Sequence, residues 1–415
     1  MSYLVKINGP RLWDSLMQMA KIGATAKGGC NRQALTDLDK QARDLWVQWA
    51  EEAGCDLRID QMGNIFARRP GLNNALPAVV TGSHIDTQPT GGKFDGVYGV
   101  LAGLEVIRSL NDHDISTSAP IEAVIWTNEE GARFSPAMVG SGVWCGEFPL
   151  EYGHNRSDKT GKTIKQELER IDYLGDTACT PYPIKGFIEL HIEQGPILEN
   201  EDLQIGILTG VQGMNWYDLT ITGQPVHAGP TPMEGRCDPF MALHGIIKNL
   251  YAMTAEFAPW SRVTFGDITA QPGARNTVPE HLIVAVDLRH PDKSVLAEMD
   301  RRFREIVAES CALANLDHDI AIEWQSPAVA FDTSCIDAVR KATVDLGYSN
   351  KEMVSGAGHD AVYVSRVAPT SMIFIPCEKG ISHNEAENAK KEDIEAGSNV
   401  LINALVNLAN DWANC

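Results

Sequence analysis

The chain has 415 residues, 44% hydrophobic and 22% charged, with a formal net charge of −20. That length asks for two cores rather than one, and the charge disfavours nucleic acid, whose phosphates it would repel. No apolar run reaches the roughly 18 residues that span a bilayer, and Met1 to Pro10 lack the layout of a signal peptide. The nine cysteines are scattered, without a C-x-x-C pair, so reduced thiols in a cytoplasmic protein are expected.

Asn8-Gly9-Pro10 starts a helix with Leu12, Leu16 and Met19 on one face. A second helix runs from about Thr36, where Thr-x-x-Asp39 is a weaker relative of the capping box, to a stop at Gly54. Strand signals follow at 56–60 and 64–68, then an apolar run, 77–82, leads into Ser83-His84-Ile85-Asp86-Thr87. A Gly/Pro-rich connection carries the chain to Phe94-Asp95-Gly96 and a helix at 97–110. The strand 121–126 runs directly into Thr127-Asn128-Glu129-Glu130. Residues 150–185 are polar with one helical stretch, 164–173, and the strand 186–192 ends in Glu193-Gln194-Gly195-Pro196. This alternation implies a mixed, mainly parallel sheet flanked by helices. Residues 213–327 read as an inserted α+β domain, with strands near 216–222, 262–270, 281–289 and 318–324 and helices near 239–257 and 293–313. The chain returns with a helix at 332–346, a buried strand at 371–375 and a long helix from about 391. The catalytic domain is therefore expected at 1–212 and 328–415.

Several predicted strands end in residues able to ligate a metal: His84 with Asp95, Glu130, His191, and His383 in Gly380-Ile-Ser-His383. Carboxyl ends of strands are where open α/β sheets bind ligands. A lone histidine is more often structural, and paired glutamates are usually a solvated face. On spacing alone, a metal site and a set of separate structural residues stay equally open. Imidazoles and carboxylates suit zinc and similar ions. Asp95, in a glycine-flanked turn, is the candidate to bridge two of them. Glu129, beside the proposed ligand Glu130, is the natural general base. Asp86 reads either as an orienting partner of His84 or as a turn residue. Arg289, ending an apolar strand, reads either as a carboxylate fork or as a surface ion pair.

The motifs Thr81-Gly-Ser-His-Ile-Asp-Thr87, Gly92-Lys-Phe-Asp-Gly96, Asn128-Glu-Glu-Gly-Ala-Arg-Phe134 and Glu189-Leu-His-Ile-Glu-Gln-Gly195 resemble the amidase, hydantoinase/carbamoylase family. Pro225-Val-His-Ala-Gly-Pro-Thr-Pro232, Ser355-Gly-Ala-Gly-His-Asp360 and Gly380-Ile-Ser-His383 match it too. That family is a branch of the di-zinc M20 metallopeptidase superfamily. The resemblance implies a metallopeptidase-like catalytic domain interrupted by a smaller lid through which a homodimer forms. It implies two divalent ions, zinc first with manganese, cobalt or nickel as alternatives, on His84, Asp95 (bridging), Glu130, His191 and His383, with Glu129 as base. His191 stands where the superfamily's peptidases carry a carboxylate, which favours the amidohydrolase branch. By the same resemblance His227 stabilises the oxyanion from the partner subunit, and Asn276 and Arg289 clamp a substrate carboxylate. Gln194 and the backbone at Gly358 contact substrate, His359 supports the metal ligands from behind, and Arg236 is an interface or structural residue.

The implied reaction is hydrolysis of an N-carbamoyl amino acid, a small carboxylate-bearing ureido compound, to the amino acid, ammonia and carbon dioxide. Leu208 to Trp216, Asn128 to Arg133 and Met372 to Pro376 most resemble the β-ureidopropionase branch, which places N-carbamoyl-β-alanine first. N-carbamoyl-L-α-amino acids come next, then allantoate and ureidoglycolate-type substrates. From a different class, an M20-type dipeptidase or aminopeptidase is the alternative.

Overall fold

The computed structural model describes residues 4–411 and divides into two compact units, residues 210–330 and the chain on either side of them. The outer unit opens with α1 (Gly9–Met19), in which Asn8 caps the N-terminus and Leu12, Leu16 and Met19 are buried. Helix α2 (Asp37–Glu52) is capped by Thr36. The Asp39 carboxylate bonds back to Leu35 N at 2.7 Å rather than to Thr36, so the capping box is displaced by one residue. Next come β1 (Asp56–Ile59), β2 (Ile65–Arg69), β3 (Ala78–His84), α3 (Val97–Asp112) and β4 (Ile121–Trp126). The polar stretch that follows holds three short helices, α4 (Val139–Trp144), α5 (Leu150–His154) and α6 (Ile164–Arg170), only the last of which has a readable apolar period. Strand β5 (Ile184–Ile192), α7 (Ile197–Asn200) and β6 (Ile205–Val211) lead to the second unit.

That second unit contains β7 (Gly213–Thr222), α8 (Pro239–Glu256), β8 (Arg262–Gln271), β9 (His281–His290), α9 (Lys293–Leu313), β10 (Asp317–Ser326) and β11 (Val329–Ala330). Its antiparallel sheet has the order β10-β7-β9-β8. Burial along β9 alternates at every residue, the period-2 signature of a sheet covered on one face. Leu282, Val284, Val286 and Leu288 meet Leu243, Ile246, Met299 and Phe303 of the two helices in a self-contained core. At the unit's entry and exit, Val211 and Gly210 pair with Val329 and Ala330.

The outer unit resumes with α10 (Thr333–Leu346), β12 (Asn350–Ser355), α11 (Asp360–Val364), β13 (Thr370–Ile375) and α12 (Lys391–Asn410). Its sheet runs β1-β2-β4-β3-β5-β13-β6, with β12 also on β6. The four central strands, β4, β3, β5 and β13, are parallel, whereas β1, β2 and β6 join antiparallel. Strands β3, β4 and β13 are buried at every residue. Helices α3 and α12, which pack on β3 and β5 and against each other, are buried along most of their length. Among the described residues no helix is long and apolar enough to cross a membrane.

Candidate metal centre and its supports

Because β4, β3, β5 and β13 are adjacent and parallel, their carboxyl ends open on one edge, and the residues just beyond them converge there. His84 is the last residue of β3, and His191 is paired with Phe374 of β13 near the end of β5. The two imidazoles face one oxygen of Asp95: His191 Nε2 lies 3.2 Å and His84 Nε2 3.7 Å from Oδ1. The other oxygen faces a different group, with His383 Nε2 3.5 Å from Asp95 Oδ2 and 3.3 Å from Glu130 Oε2. Two triads with ligand atoms close together result, His84–Asp95–His191 and Asp95–Glu130–His383, sharing Asp95. The structure thus brings together all five residues expected as ligands.

The far nitrogens of the two buried rings decide what the near ones can do. His84 Nδ1 is 2.9 Å from the carbonyl of Asp86, and His191 Nδ1 is 2.9 Å from the carbonyl of Ile192. A carbonyl only accepts, so each ring holds a proton on Nδ1, and in its neutral form each turns an unprotonated Nε2 toward a carboxylate. Lone pairs facing an anion repel unless a cation sits between them, so the donor set fits divalent ions. Burial pushes the His84 imidazole down to about 4 against the pull of Asp95, which keeps it a neutral donor. Burial works against the charge of His191 as well, but Asp95 outweighs it and raises the ring to about 9. The Asp95 carboxyl, although buried, is held far below the usual range by His191, His84 and His383.

Two turns set the acidic residues. Asn128 has φ of +58°, tolerable for asparagine, and its side chain donates to Phe134 O at 2.8 Å. The turn points the amides of Glu129 and Glu130 at the two oxygens of Asp86, each 3.2 Å away. Asp86 therefore orients His84 through its backbone carbonyl, while its carboxylate, 4.0 Å from Nδ1, organises the glutamate turn instead. Glu129 Oε2 comes within 3.4 Å of His84 Nε2. Burial, then the charges of Asp360, Glu130 and Asp86, raise Glu129 well above the ordinary carboxylate range. Burial and Asp95 do the same to Glu130, whose side chain accepts from Gln88 Nε2 at 2.8 Å. Gln194 and His383 also have positive φ, +57° and +52°. Strained backbone gathered around one cluster of ligands is a mark of functional sites.

Of the layer behind these residues, the resemblance identified His359, and Gln194 as a substrate contact, whereas Glu387, Ser382 and Glu189 were not read. Glu387 accepts from the amides of Phe94 and Asp95, and burial and Asp95 push its carboxyl up to about 7. Ser382 Oγ lies 2.8 Å from Asp95 Oδ2, and Gln194 Nε2 donates to the same oxygen at 2.9 Å. Glu189 accepts from Ser83 Oγ at 2.6 Å and Ala361 N at 3.0 Å. His359 packs edge-on to His191, ring centres 4.6 Å apart, with Nε2 2.9 Å from Ser355 Oγ. Only Glu189 had a signal, since it precedes His191 by one strand period on β5; Glu387 lies in a loop and had none.

A sequence profile of peptidase family M20/M25/M40 matches residues 80–407. An N-carbamoyl-L-amino-acid amidohydrolase of Rhizobium meliloti is 45% identical over 405 residues, 97% of either chain. The chain belongs to this family. Another N-carbamoyl-L-amino acid amidohydrolase, from Geobacillus stearothermophilus, is 35% identical over 97% of this chain and 99% of its own. The crystal structure of an amidase of the hydantoinase/carbamoylase family from Burkholderia multivorans superposes with a TM-score of 0.94 at 54% identity, covering 98% of each chain. The M20 chain is thus a hydrolase of the hydantoinase/carbamoylase branch.

The remaining expected site residues of this M20 protein lie on other segments. Gly358 is half-buried just before α11. His227, Asn276 and Arg289 belong to the inserted unit. His227 is exposed and bridges to Thr277, and Ala228 N bonds to Asn276 O at 2.9 Å, so the two share one loop pair. Arg236 donates to Ala228 O at 2.7 Å and Thr231 O at 2.6 Å, bracing the His-Ala-Gly turn. Arg289 binds Asp287 through Nε and Nη2 at 2.9 and 2.7 Å, the ion pair that the sequence left open.

Proposed function

We propose that the chain is a metal-dependent amidohydrolase that converts N-carbamoyl amino acids to the amino acid, ammonia and carbon dioxide. The observation that carries this reading is Asp95, whose two oxygens face separate donor groups with Glu129 alongside. A pair of divalent ions, zinc foremost, would be held by His84, Asp95, Glu130, His191 and His383. When bound, they would polarise the carbamoyl oxygen and acidify a water. Glu129 takes that water's proton and returns it to the departing nitrogen. Asp86 holds Glu129 in place through its amide. His227 donates to the oxygen that becomes negative. Arg289 and Asn276 bind the substrate carboxylate, and Gln194 and the Gly358 backbone contact the ureido group. His227 acting from a second copy requires a homodimer. Phe240, Met241, Tyr251 and Ile268, exposed on α8 and the edge strand β8, support association through the inserted unit. Free thiols at all the described cysteines support a reducing, cytoplasmic setting.

The names of the relatives favour N-carbamoyl-L-α-amino acids, and N-carbamoyl-β-alanine stays beside them on its motif resemblance. Ammonia release from N-carbamoyl-L-methionine, N-carbamoyl-β-alanine and allantoate, with zinc or manganese added, ranks the substrates. Turnover of dipeptides with none of any ureido compound would sink the amidohydrolase reading.

A further inference from the structure

Glu387 lies four residues beyond His383 and is only 1% exposed. Its Oε1 accepts from the backbone N–H groups of Phe94 at 2.9 Å and Asp95 at 3.1 Å. Its Oε2 is 3.0 Å from Ser382 Oγ, whose single hydroxyl proton also serves Asp95 Oδ2 at 2.8 Å. The slot is shaped for this carboxylate: a Cβ on Gly92 would fall 2.0 Å from Oε1 and 2.4 Å from Oε2. One buried side chain thus binds the loop carrying Asp95 and, through Ser382, the loop carrying His383.

We propose that Glu387 is a positioning residue that fixes the second of the two cation positions, the one between Asp95 Oδ2, Glu130 and His383. The inference rests on the two-ion reading above. The two positions are built differently. His84 and His191 sit on β3 and β5, which are locked by sheet pairing. His383 stands on a loop with φ of +52° and is 53% exposed in its side chain. Its distance from Asp95 is set by whatever joins the two loops, and Glu387 with Ser382 joins them. A merely structural Glu387 would affect both positions alike when removed. A positioning Glu387 weakens one ion and spares the other.

The test is a Zn2+ titration of the full-length protein, stripped with a chelator, against a competing chelating dye. Parent, Glu387→Ala, Glu387→Gln and Ser382→Ala are compared, with thermal unfolding of each stripped protein as the check on folding. The parent binds two ions. Glu387→Ala and Ser382→Ala keep the tighter ion within about 3-fold and lose roughly 10- to 100-fold for the weaker. Glu387→Gln keeps an oxygen for the two amides, so its weaker ion stays within about 10-fold of the parent. Should Glu387→Ala fail to fold, Ser382→Ala and Glu387→Gln decide. Unchanged affinities for both ions, or equal weakening of both, overturn the assignment of Glu387. A parent that takes up one ion overturns the two-ion reading and this assignment with it.

Discussion

Replacing Gly96 with alanine tests whether the Asp95 turn is what places His84. Gly96 has φ of +65° and ψ of −49°, and Val97 N bonds to Asp95 O at 2.7 Å across it. This is a γ-turn of the rarer, strained hand, so a side chain there costs about 1–3 kcal/mol of backbone strain. A Cβ at Gly96 would also fall 2.3 Å from His84 Nε2, where ordinary contact begins at 3.4 Å. The imidazole would have to retreat by about 1 Å, a shift that at a reacting centre can cost about 100-fold in rate. It has little room to retreat, being 1% exposed and anchored at Nδ1 by Asp86 O. Gly96→Ala is therefore expected to lower the melting temperature by a few degrees and to weaken the ion at His84 and His191 before the other. Calorimetry and metal analysis after dialysis against limiting zinc measure the two effects. A variant with parental stability and two tightly held ions would refute the placement of His84 by this turn.

Glu129→Gln should retain parental metal content and lose about 10²–10⁴-fold in kcat; a fall in bound metal instead would make Glu129 a ligand. Arg289→Lys should raise KM for carboxylate substrates at least about 10-fold, because a point charge cannot replace the planar fork. An unchanged KM would remove Arg289 from the substrate site. The metal-free protein should become less stable as pH rises. Burial raises Asp86 from 3.8 and Glu387 from 4.5, both to about 7, and Glu129 and Glu130 shift the same way. Between those ordinary values and about 7 the folded state keeps protons that the unfolded chain has released, so its stability falls across that window. His84, lowered to about 4, and His359, lowered by burial as well, oppose this below 6.5 but are outnumbered. Melting temperatures of chelator-treated protein at pH 5 and 7 give the sign, and a rise toward pH 7 would contradict it.

The cluster was legible in part because His84, His191 and Glu130 end or follow runs whose apolar pattern reads as a buried strand, and buried parallel strands deliver their ends to one edge. Spacing alone left a metal site open, and the resemblance chose it. The inserted unit was legible for a similar reason, since alternation along 281–289 needs no knowledge of its partners. Glu387 was not legible. Its role depends on amides 292 and 293 residues away, and within His383-Asn-Glu-Ala-Glu387 it looks like one more solvated acid. Asp86 was half-read: its neighbourhood to His84 is local in sequence, but the amides its carboxylate holds come from 43 and 44 residues on. Strand β12 and helix α11 were passed over because six and five residues are too few to show a period.

The position of β13 in the sheet bears on how the chain is made. It lies between β5 and β6, yet the ribosome delivers it long after both, once the whole of residues 210–330 has emerged. The inserted unit has its own core, and its entry and exit strands pair with each other, so it can fold while the outer sheet still lacks a central strand. Domains generally fold as units during synthesis, which here leaves β5 and β6 waiting with unpaired edges for a late arrival. His383 comes later still. A nascent chain can offer His84, Asp95, Glu130 and His191 together, but the second triad, Asp95–Glu130–His383, closes only after β13 has been delivered and the loop beyond it has emerged.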